Sequence, residues 1–201
     1  MSRHFKVELS TGVIDIYDGY VPMRTREVMW EYLSKDCGWF LGWQDGLDKD
    51  PHLHAVITEC SQTAHDIKNT IADDERFKQR VRGHELGIIV ANLSHSASIH
   101  HRHTHGQQLG MIYYANMEWQ HGWEGETFFY DQEGEVEFVS SYVPGRILLF
   151  DSNMCHSIRS QSHIGPPVRF TVSYFWDYYG EPNEEMVENL GEESGGEGRG
   201  D

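Results

Sequence analysis

The sequence predicts an α+β fold in which helices come first and a β-rich core follows after about residue 85. Before that point, apolar residues recur at helical spacing in two segments. After it, short runs rich in Val, Ile, Tyr and Phe alternate with turn residues at regular intervals, a pattern typical of an antiparallel sandwich or barrel. The 201 residues fit one domain, which we place at residues 1–180.

The N-terminal part of the chain is predicted to support the β core. The segment FKVELSTGVIDIYDGYV alternates apolar and polar residues around STG, which predicts two strands joined by a turn. Helical spacing in PMRTREVMWEYLSKD predicts a helix with Thr25 at its N-cap. The Gly- and Asp-rich segment CGWFLGWQDGLDKDPHLH predicts a loop, and TAHDIKNTIADDERFKQRV predicts one or two helices. A helical support therefore covers about residues 20–82.

The β core is predicted to span about residues 85–179. Its strands are expected in the runs LGIIVANLS, LGMIYYANMEW, GETFFYD, EVEFVSSYV, RILLFDS and VRFTVSYFWDYY. Beyond it, residues 181–201 carry eight acidic residues against one Arg and lack any periodicity. We expect this segment to be a disordered acidic tail.

The composition narrows the classes of function. The chain has 32 acidic and 16 basic residues, and the net charge of −16 argues against direct binding to a nucleic-acid backbone. No apolar run approaches the roughly 18 residues of a membrane helix, and the N-terminus lacks the apolar segment of a secretion signal. The three cysteines stand at unrelated spacings, which indicates reduced thiols in a cytoplasmic protein.

A histidine cluster precedes the second strand run. The segment HHRHTH, residues 100–105, holds four histidines in six positions. Residues two apart on a strand point to the same side, so His103 and His105 are expected to project together. His156, which follows the apolar run ending at Phe150, is the obvious third ligand from a neighbouring strand. Three such side chains resemble the facial metal site of non-haem Fe(II) oxygenases, which usually have two His and one carboxylate.

Three segments resemble the Fe(II)- and 2-oxoglutarate-dependent oxygenases, most closely their prolyl-4-hydroxylase-like branch. They lie within about residues 88–176 and read HTHGQQLGMIYYANMEWQHGWEGETFFYD, YVPGRILLFDSNMCHSIRSQS and VRFTVSYFW. The family pattern runs from His-x-Asp through Tyr-Tyr-x-Asn, Gly-Gly-Glu-Thr and Pro-Gly-Arg to a distal His and an Arg-x-Ser/Thr pair. The resemblance implies a double-stranded β-helix, or jelly roll, which agrees with the strand pattern.

The resemblance also implies roles for individual residues. His103 and His156 match the first and the distal metal ligand, and His105 stands at the position of the carboxylate. Arg169, thirteen residues after His156, matches the arginine that holds the distal carboxylate of 2-oxoglutarate, for which a guanidinium fork is suited. The further candidates for the cofactor site are Thr171, either Tyr113 or Tyr114, and Asn116.

Two more polar residues are candidates for supporting roles. Asp151 precedes His156 by five positions and either orients its imidazole or caps a turn. Arg159 either lines the mouth of the substrate site or is simply exposed.

His105 stands where the family has an aspartate, and three interpretations remain open. In the first, His105 replaces the carboxylate and the iron has three neutral ligands. In the second, His105 points away and leaves a vacant position, as in halogenating relatives that place chloride there. In the third, the register is shifted and His100 or His101 is the ligand.

The leading hypothesis is an Fe(II)- and 2-oxoglutarate-dependent oxygenase that uses O2 to hydroxylate an aliphatic C–H, releasing succinate and CO2. The alternatives are a three-His iron dioxygenase or halogenase-type variant, and a non-catalytic metal-binding jelly roll. The substrate is expected to be an amino acid, a peptide or a small metabolite, with no nucleic acid or membrane as partner. A homodimer is among the assemblies that the sequence allows.

Overall fold

The computed structural model describes residues 2–41, 53–58, 61–94, 108–166 and 168–178. Across these ranges the chain forms eleven strands and three α-helices, and a π-helical turn (Tyr32–Asp36) follows the first helix. The strands are β1 (Arg3–Leu9), β2 (Gly12–Asp18), β3 (Phe40–Leu41), β4 (Leu53–Val56), β5 (His84–Ser94), β6 (Gln108–Tyr114), β7 (Thr127–Tyr130), β8 (Val136–Ser140), β9 (Ile147–Asp151), β10 (His156–Ile158) and β11 (Arg169–Tyr178). The helices are α1 (Met23–Glu31), α2 (Gln62–Asn69) and α3 (Glu75–Arg80).

The strands form two antiparallel sheets. The large sheet has the order β1-β2-β9-β6-β11-β5-β4-β3, and the small sheet has the order β10-β7-β8. The six runs expected to be strands after residue 85 are all strands, and the predicted β1–β2 hairpin is present with Leu9 paired to Gly12. The fold class predicted from the sequence is therefore confirmed.

The large sheet is covered on both faces. On one face, a core of apolar residues joins it to the helices, with Met29 of α1, Ile67 of α2 and Phe77 of α3 fully or nearly fully buried. On the other face, a second core joins it to the small sheet, where Phe129 of β7 packs with Phe150 of β9. None of the described helices is long and apolar enough to cross a membrane.

Alternation along the strands decides which side chains enter the space between the sheets. In β6, Tyr113 belongs to the helix-side core, whereas its neighbour Tyr114 belongs to the core between the sheets. In β11, Phe170 and Val172 pack on the helix side, so that Arg169 and Thr171 face the small sheet. These two strands lie side by side, with Thr171 opposite Tyr114.

The structure differs from the sequence predictions at three places. The prediction of Thr25 as the N-cap of α1 is wrong: the N-cap is Pro22, whose extended backbone (φ −59°, ψ 146°) leads directly into the helix. The predicted loop before α2 contains β3 and the first half of β4, which are too short to show a strand period; β3 pairs with β4, and β4 pairs with β5. β10 has only three residues and was not predicted for the same reason.

Candidate functional site

His156 projects into the core between the two sheets. It lies in β10 opposite Phe129 of β7, and its side chain is almost completely buried. The imidazole packs edge-on against Phe150, with ring centroids 5.1 Å apart. Its Nδ1 lies 2.8 Å from the carbonyl oxygen of Met154. Since a carbonyl only accepts, Nδ1 carries a proton, and in the neutral ring Nε2 then has the lone pair that a metal requires.

Arg169 is the first residue of β11 and has no solvent-exposed surface. Its Nε donates to the carbonyl oxygen of Gly125 at 3.0 Å, and its Nη2 donates to Oγ1 of Thr127 at 3.1 Å. The guanidinium also lies over the rings of Tyr114 and Tyr142, at 5.2 and 5.1 Å from their centroids. Each of these contacts fixes the plane of the guanidinium.

The aromatic rings that hold Arg169 form a stack between the sheets. Tyr114 and Tyr142 are parallel within 11°, with centroids 4.4 Å apart. The hydroxyl of Tyr114 donates to Oγ1 of Thr127 at 2.7 Å, so this oxygen accepts from both Tyr114 and Arg169. Burial raises the pKa of Tyr142 far above the ordinary value of a phenol, while the charge of Arg169 opposes that rise. Tyr142 therefore stays neutral beside the cation.

The guanidinium of Arg169 has hydrogen-bonding capacity left over. Arginine has five N–H donors, and two of them are used by Gly125 and Thr127. The remaining three are two on Nη1 and one on Nη2. Nη1 is buried and has no hydrogen-bond partner, and no carboxylate among the described residues forms an ion pair with Arg169. A buried cation with free donors is costly unless an anion occupies the space beside it.

His156 of β10 and Arg169 of β11 each contact a residue of β7, and these two residues lie on the same face of that strand. Phe129 is paired with His156, and Thr127, two residues earlier on the same strand, contacts Arg169. Positions i and i+2 of a strand share a face and are roughly 7 Å apart. The predicted distal metal ligand and the predicted anion-binding arginine therefore both lie against this face of β7, between the two sheets.

The other predicted cofactor-site residues are placed as follows. Thr171 is buried beside Tyr114 on the face of Arg169. Of the two tyrosines between which the sequence could not choose, Tyr114 enters this space and Tyr113 points to the helices.

The side chain of Asn116 bonds to backbone on both sides of Arg169 and to the hydroxyl of Tyr142. Its Oδ1 accepts from the backbone N–H of Phe170 at 2.7 Å and from the hydroxyl of Tyr142 at 2.7 Å. Its Nδ2 donates to the carbonyl oxygen of Val168. These bonds fix the backbone on both sides of Arg169, and a contact of Asn116 with the cofactor stays a prediction.

The two residues expected in supporting roles make ion pairs. No hydrogen bond joins the carboxylate of Asp151 to the imidazole of His156: its Oδ1 accepts from Nη2 of Arg80 at 2.9 Å, and the Met154 carbonyl holds the imidazole. Its backbone carbonyl accepts from the N–H of Met154, so Asp151 does open a turn. Arg159 is half-exposed and pairs with Glu124 at 2.8 Å.

The remaining predicted ligands, His103 and His105, and the alternatives His100 and His101, lie outside the described residues, as does the acidic tail. The described part of the chain contains no group of three or more metal-binding side chains. Of the predicted triad it includes His156 alone.

Sequence reasoning missed three residues of this site: Gly125, Thr127 and Tyr142. Gly125 and Thr127 are in the GET segment that was matched as a motif without an assigned role. A Cβ on Gly125, whose φ is +81°, would lie 2.8 Å from the Trp119 ring, so only glycine lets the backbone carbonyl reach Arg169. Tyr142 is the first residue of the segment YVPGRILLFDSNMCHSIRSQS, two positions before its Pro-Gly-Arg motif, but the family pattern gave it no role.

Comparisons with known proteins support the fold. No family model and no curated protein sequence matches the chain. Among solved structures, a prolyl hydroxylase from Trichoplax adhaerens in complex with a hypoxia inducible factor peptide fragment has a TM-score of 0.62 at 14% identity, covering 82% of this chain and 83% of that one. A prolyl-4-hydroxylase from Pseudomonas putida has a TM-score of 0.61 at 12% identity, covering 86% and 96%.

A third similar structure is HygX from Streptomyces hygroscopicus with nickel and 2-oxoglutarate bound, with a TM-score of 0.58 at 10% identity, covering 86% of this chain and 89% of that one. At these identities the likeness concerns the fold. The two opposed sheets of this chain are the double-stranded β-helix, or jelly roll, of the 2-oxoglutarate-Fe(II) oxygenases, as the resemblance of its sequence implied.

Proposed function

We propose that this protein is an Fe(II)- and 2-oxoglutarate-dependent oxygenase that hydroxylates an aliphatic C–H of an amino acid, a peptide or a small metabolite. The observation that carries the proposal is the buried guanidinium of Arg169, whose Nη1 has no partner. A carboxylate placed there would accept two parallel N–H bonds and neutralise the charge. The distal carboxylate of 2-oxoglutarate is an anion of suitable shape.

His156 is proposed as one ligand of the metal, together with His103 and His105 of the histidine cluster. The bond from Nδ1 to the Met154 carbonyl leaves the ring in the tautomer that suits a ligand. The neighbouring rings of Phe129 and Phe150 limit the rotation of the imidazole. With three neutral ligands, the metal would keep its full charge of +2 and would favour a dianionic co-substrate.

The bound iron would supply the oxidising chemistry with O2, at the expense of 2-oxoglutarate, which is converted to succinate and CO2. The chain itself would bind and orient. Arg169 would hold the distal carboxylate, while Tyr114 and Thr127 would keep the guanidinium in place. The fully buried stack of Tyr114 and Tyr142 would exclude water from that end of the site.

The similar structures support this class of function. The prolyl hydroxylase of Trichoplax adhaerens is in complex with a peptide, and HygX has a structure with nickel, 2-oxoglutarate and hygromycin B bound. Peptides and small molecules are therefore both substrate classes that we would test on this chain.

The test is succinate formation from 2-oxoglutarate by the purified full chain with Fe(II) and O2, with and without candidate substrates. We expect slow succinate formation that requires iron, and its loss in His156→Ala and in Arg169→Met. Oxygen uptake that needs iron but neither 2-oxoglutarate nor Arg169 would identify a three-His dioxygenase instead. Binding of metal with neither oxygen uptake nor succinate would indicate a non-catalytic jelly roll.

A further inference from the structure

His156 is held by a short turn at the end of β9. The carbonyl that accepts from its Nδ1 belongs to Met154, and the N–H of Met154 donates to the carbonyl of Asp151 at 3.0 Å. Residues 151–154 therefore form a four-residue turn. The side chain of Met154 is buried in the core between the sheets. A displacement of this turn would move the carbonyl that orients the imidazole.

Arg80, the last residue of α3, connects this turn to the N-terminal hairpin. Its Nη2 donates to Oδ1 of Asp151 at 2.9 Å, and its Nη1 donates to Oδ2 of Asp15 in β2 at 3.2 Å. Both nitrogens also lie within hydrogen-bonding distance of the Val13 carbonyl, at 3.3 and 3.4 Å. One guanidinium thus joins α3, β2 and the end of β9.

The hairpin is packed directly against the same turn. A Cβ added at Gly12 would lie 2.9 Å from Oδ2 of Asp151 and 2.9 Å from Sδ of Met154. The turn is therefore confined by backbone on one side and by Arg80 on the other. This close approach makes its position depend on how the hairpin and α3 are held together.

The carboxylate of Asp15 is itself held from a second direction. Nε2 of His4 lies 3.0 Å from its Oδ1, and Nδ1 of His4 lies 2.7 Å from Nη1 of Arg76, which can only donate. Asp15 is nearly buried, with a side chain that is 4% exposed. Arg80 consequently has a fixed anchor on one side, and it can restrain Asp151 on the other.

A second arginine, at the other end of β9, provides a comparison. Arg146, just before β9, pairs with Asp18 of β2 through Nε at 2.7 Å and Nη2 at 2.9 Å. Its side chain is 16% exposed, close to the 19% of Arg80. Both arginines tie β9 to β2, one at each end of the strand, but only Arg80 bonds to the turn that precedes His156.

We propose that Arg80 is a positioning residue for the metal site, acting through Asp151 and the 151–154 turn on the orientation of His156. The inference rests on the proposed function, because it needs His156 to be a ligand. Asp151 is 44% exposed, so its ion pair contributes little to overall stability. Its effect is local: it restrains the carbonyl that selects the tautomer and the direction of the imidazole.

The experiment is an anaerobic titration of the full-length protein with Co(II), followed by the visible absorption of the bound ion. The variants are Arg80→Met, which keeps most of the side-chain length, and Asp151→Ala, which removes the partner; Arg146→Met is the matched control. Loss of a residue that orients a metal-bound histidine weakens metal binding about 10- to 100-fold. Because Arg80 acts through a turn, we expect Arg80→Met and Asp151→Ala each to weaken Co(II) binding about 10-fold and to change the absorption spectrum of the bound ion. Arg146→Met should bind Co(II) with wild-type affinity.

The double variant separates positioning from general destabilisation. If both residues act through one contact, Arg80→Met combined with Asp151→Ala should weaken Co(II) binding no more than either change alone. Unchanged Co(II) affinity and spectrum in Asp151→Ala, or equal weakening in Arg146→Met, would overturn the role of Arg80. If Arg80→Met does not fold, Asp151→Ala decides alone. Failure of the proposed function has another signature: wild-type protein that does not bind Co(II), or binds it equally well after His156→Ala.

Discussion

Replacing Arg169 by Met should abolish tight binding of 2-oxoglutarate while leaving the fold intact. Two of the five N–H donors of the guanidinium bond to Gly125 and Thr127, and three remain. A carboxylate can accept hydrogen bonds from two of these in parallel. Hydrogen bonds to charged groups contribute about 1.5–3 kcal/mol each, so two of them contribute about 3–6 kcal/mol. The dissociation constant should therefore rise by about 100- to 10,000-fold.

The same change should have a small effect on the ligand-free protein. The variant loses the bonds of Arg169 to Gly125 and Thr127 and its contact with the two stacked tyrosines. It also removes a fully buried cation that no carboxylate among the described residues neutralises. These effects oppose each other, and we expect the free energy of unfolding to change by less than about 2 kcal/mol.

Thermal unfolding with and without 2-oxoglutarate, in anaerobic metal-loaded protein, measures both effects. At a ligand concentration of about 100 times the dissociation constant, wild-type protein gains about 2.7 kcal/mol, or about 5–11 °C in Tm. A 100-fold weaker variant gains about 0.4 kcal/mol at the same concentration. Arg146→Met, which removes another largely buried arginine, should keep the full shift. An undiminished shift in Arg169→Met would refute the reasoning.

Three further predictions concern the residues around this site. Tyr114→Phe removes the bond to Thr127 and should lower the free energy of unfolding by about 1 kcal/mol. The hydroxyl of Tyr113 is buried without a hydrogen-bond partner, so Tyr113→Phe should not lower it. Equal losses of the two variants in urea unfolding would contradict this. Asn116→Ala leaves the backbone groups beside Arg169 unpaired and should cost about 2–4 kcal/mol by the same assay; a loss below 1 kcal/mol would mean that its bonds do not hold the strands. Burial raises the pKa of Tyr113 to about 12. The free energy of unfolding should therefore not depend on this group below about pH 10 and should fall as the pH rises to about 12, because only the unfolded chain ionises there. Tyr113→Phe should flatten that alkaline decline, and an unchanged slope would contradict it.

Much of the fold could be predicted because its signals are local. Alternating apolar runs identified the strands of the β core, and the resemblance supplied the order in which His156 and Arg169 occur. Arg169 was singled out by that resemblance, in which an arginine follows the distal histidine, and its role as the anion-binding residue stays a prediction.

The rest of the site depends on which strands meet. Periodicity alone cannot tell whether Tyr113 or Tyr114 faces the small sheet, because both are aromatic and adjacent; the pairing of β6 with β11 decides it. Asp151 was close to His156 in sequence, but its side chain pairs with Arg80, which is 71 positions away. Such long-range ion pairs leave no local trace, and neither does the stacking of Tyr142 on Tyr114.

The most direct test of the central claim is an anaerobic titration of the Fe(II)-loaded protein with 2-oxoglutarate, followed by visible absorption. If His156 helps to hold the metal and Arg169 the distal carboxylate, a charge-transfer band should appear only when both components are present and should saturate at one 2-oxoglutarate per chain. The band should be lost in His156→Ala and should require a far higher 2-oxoglutarate concentration in Arg169→Met. No band in the wild-type protein, or an unchanged titration in Arg169→Met, would contradict the account.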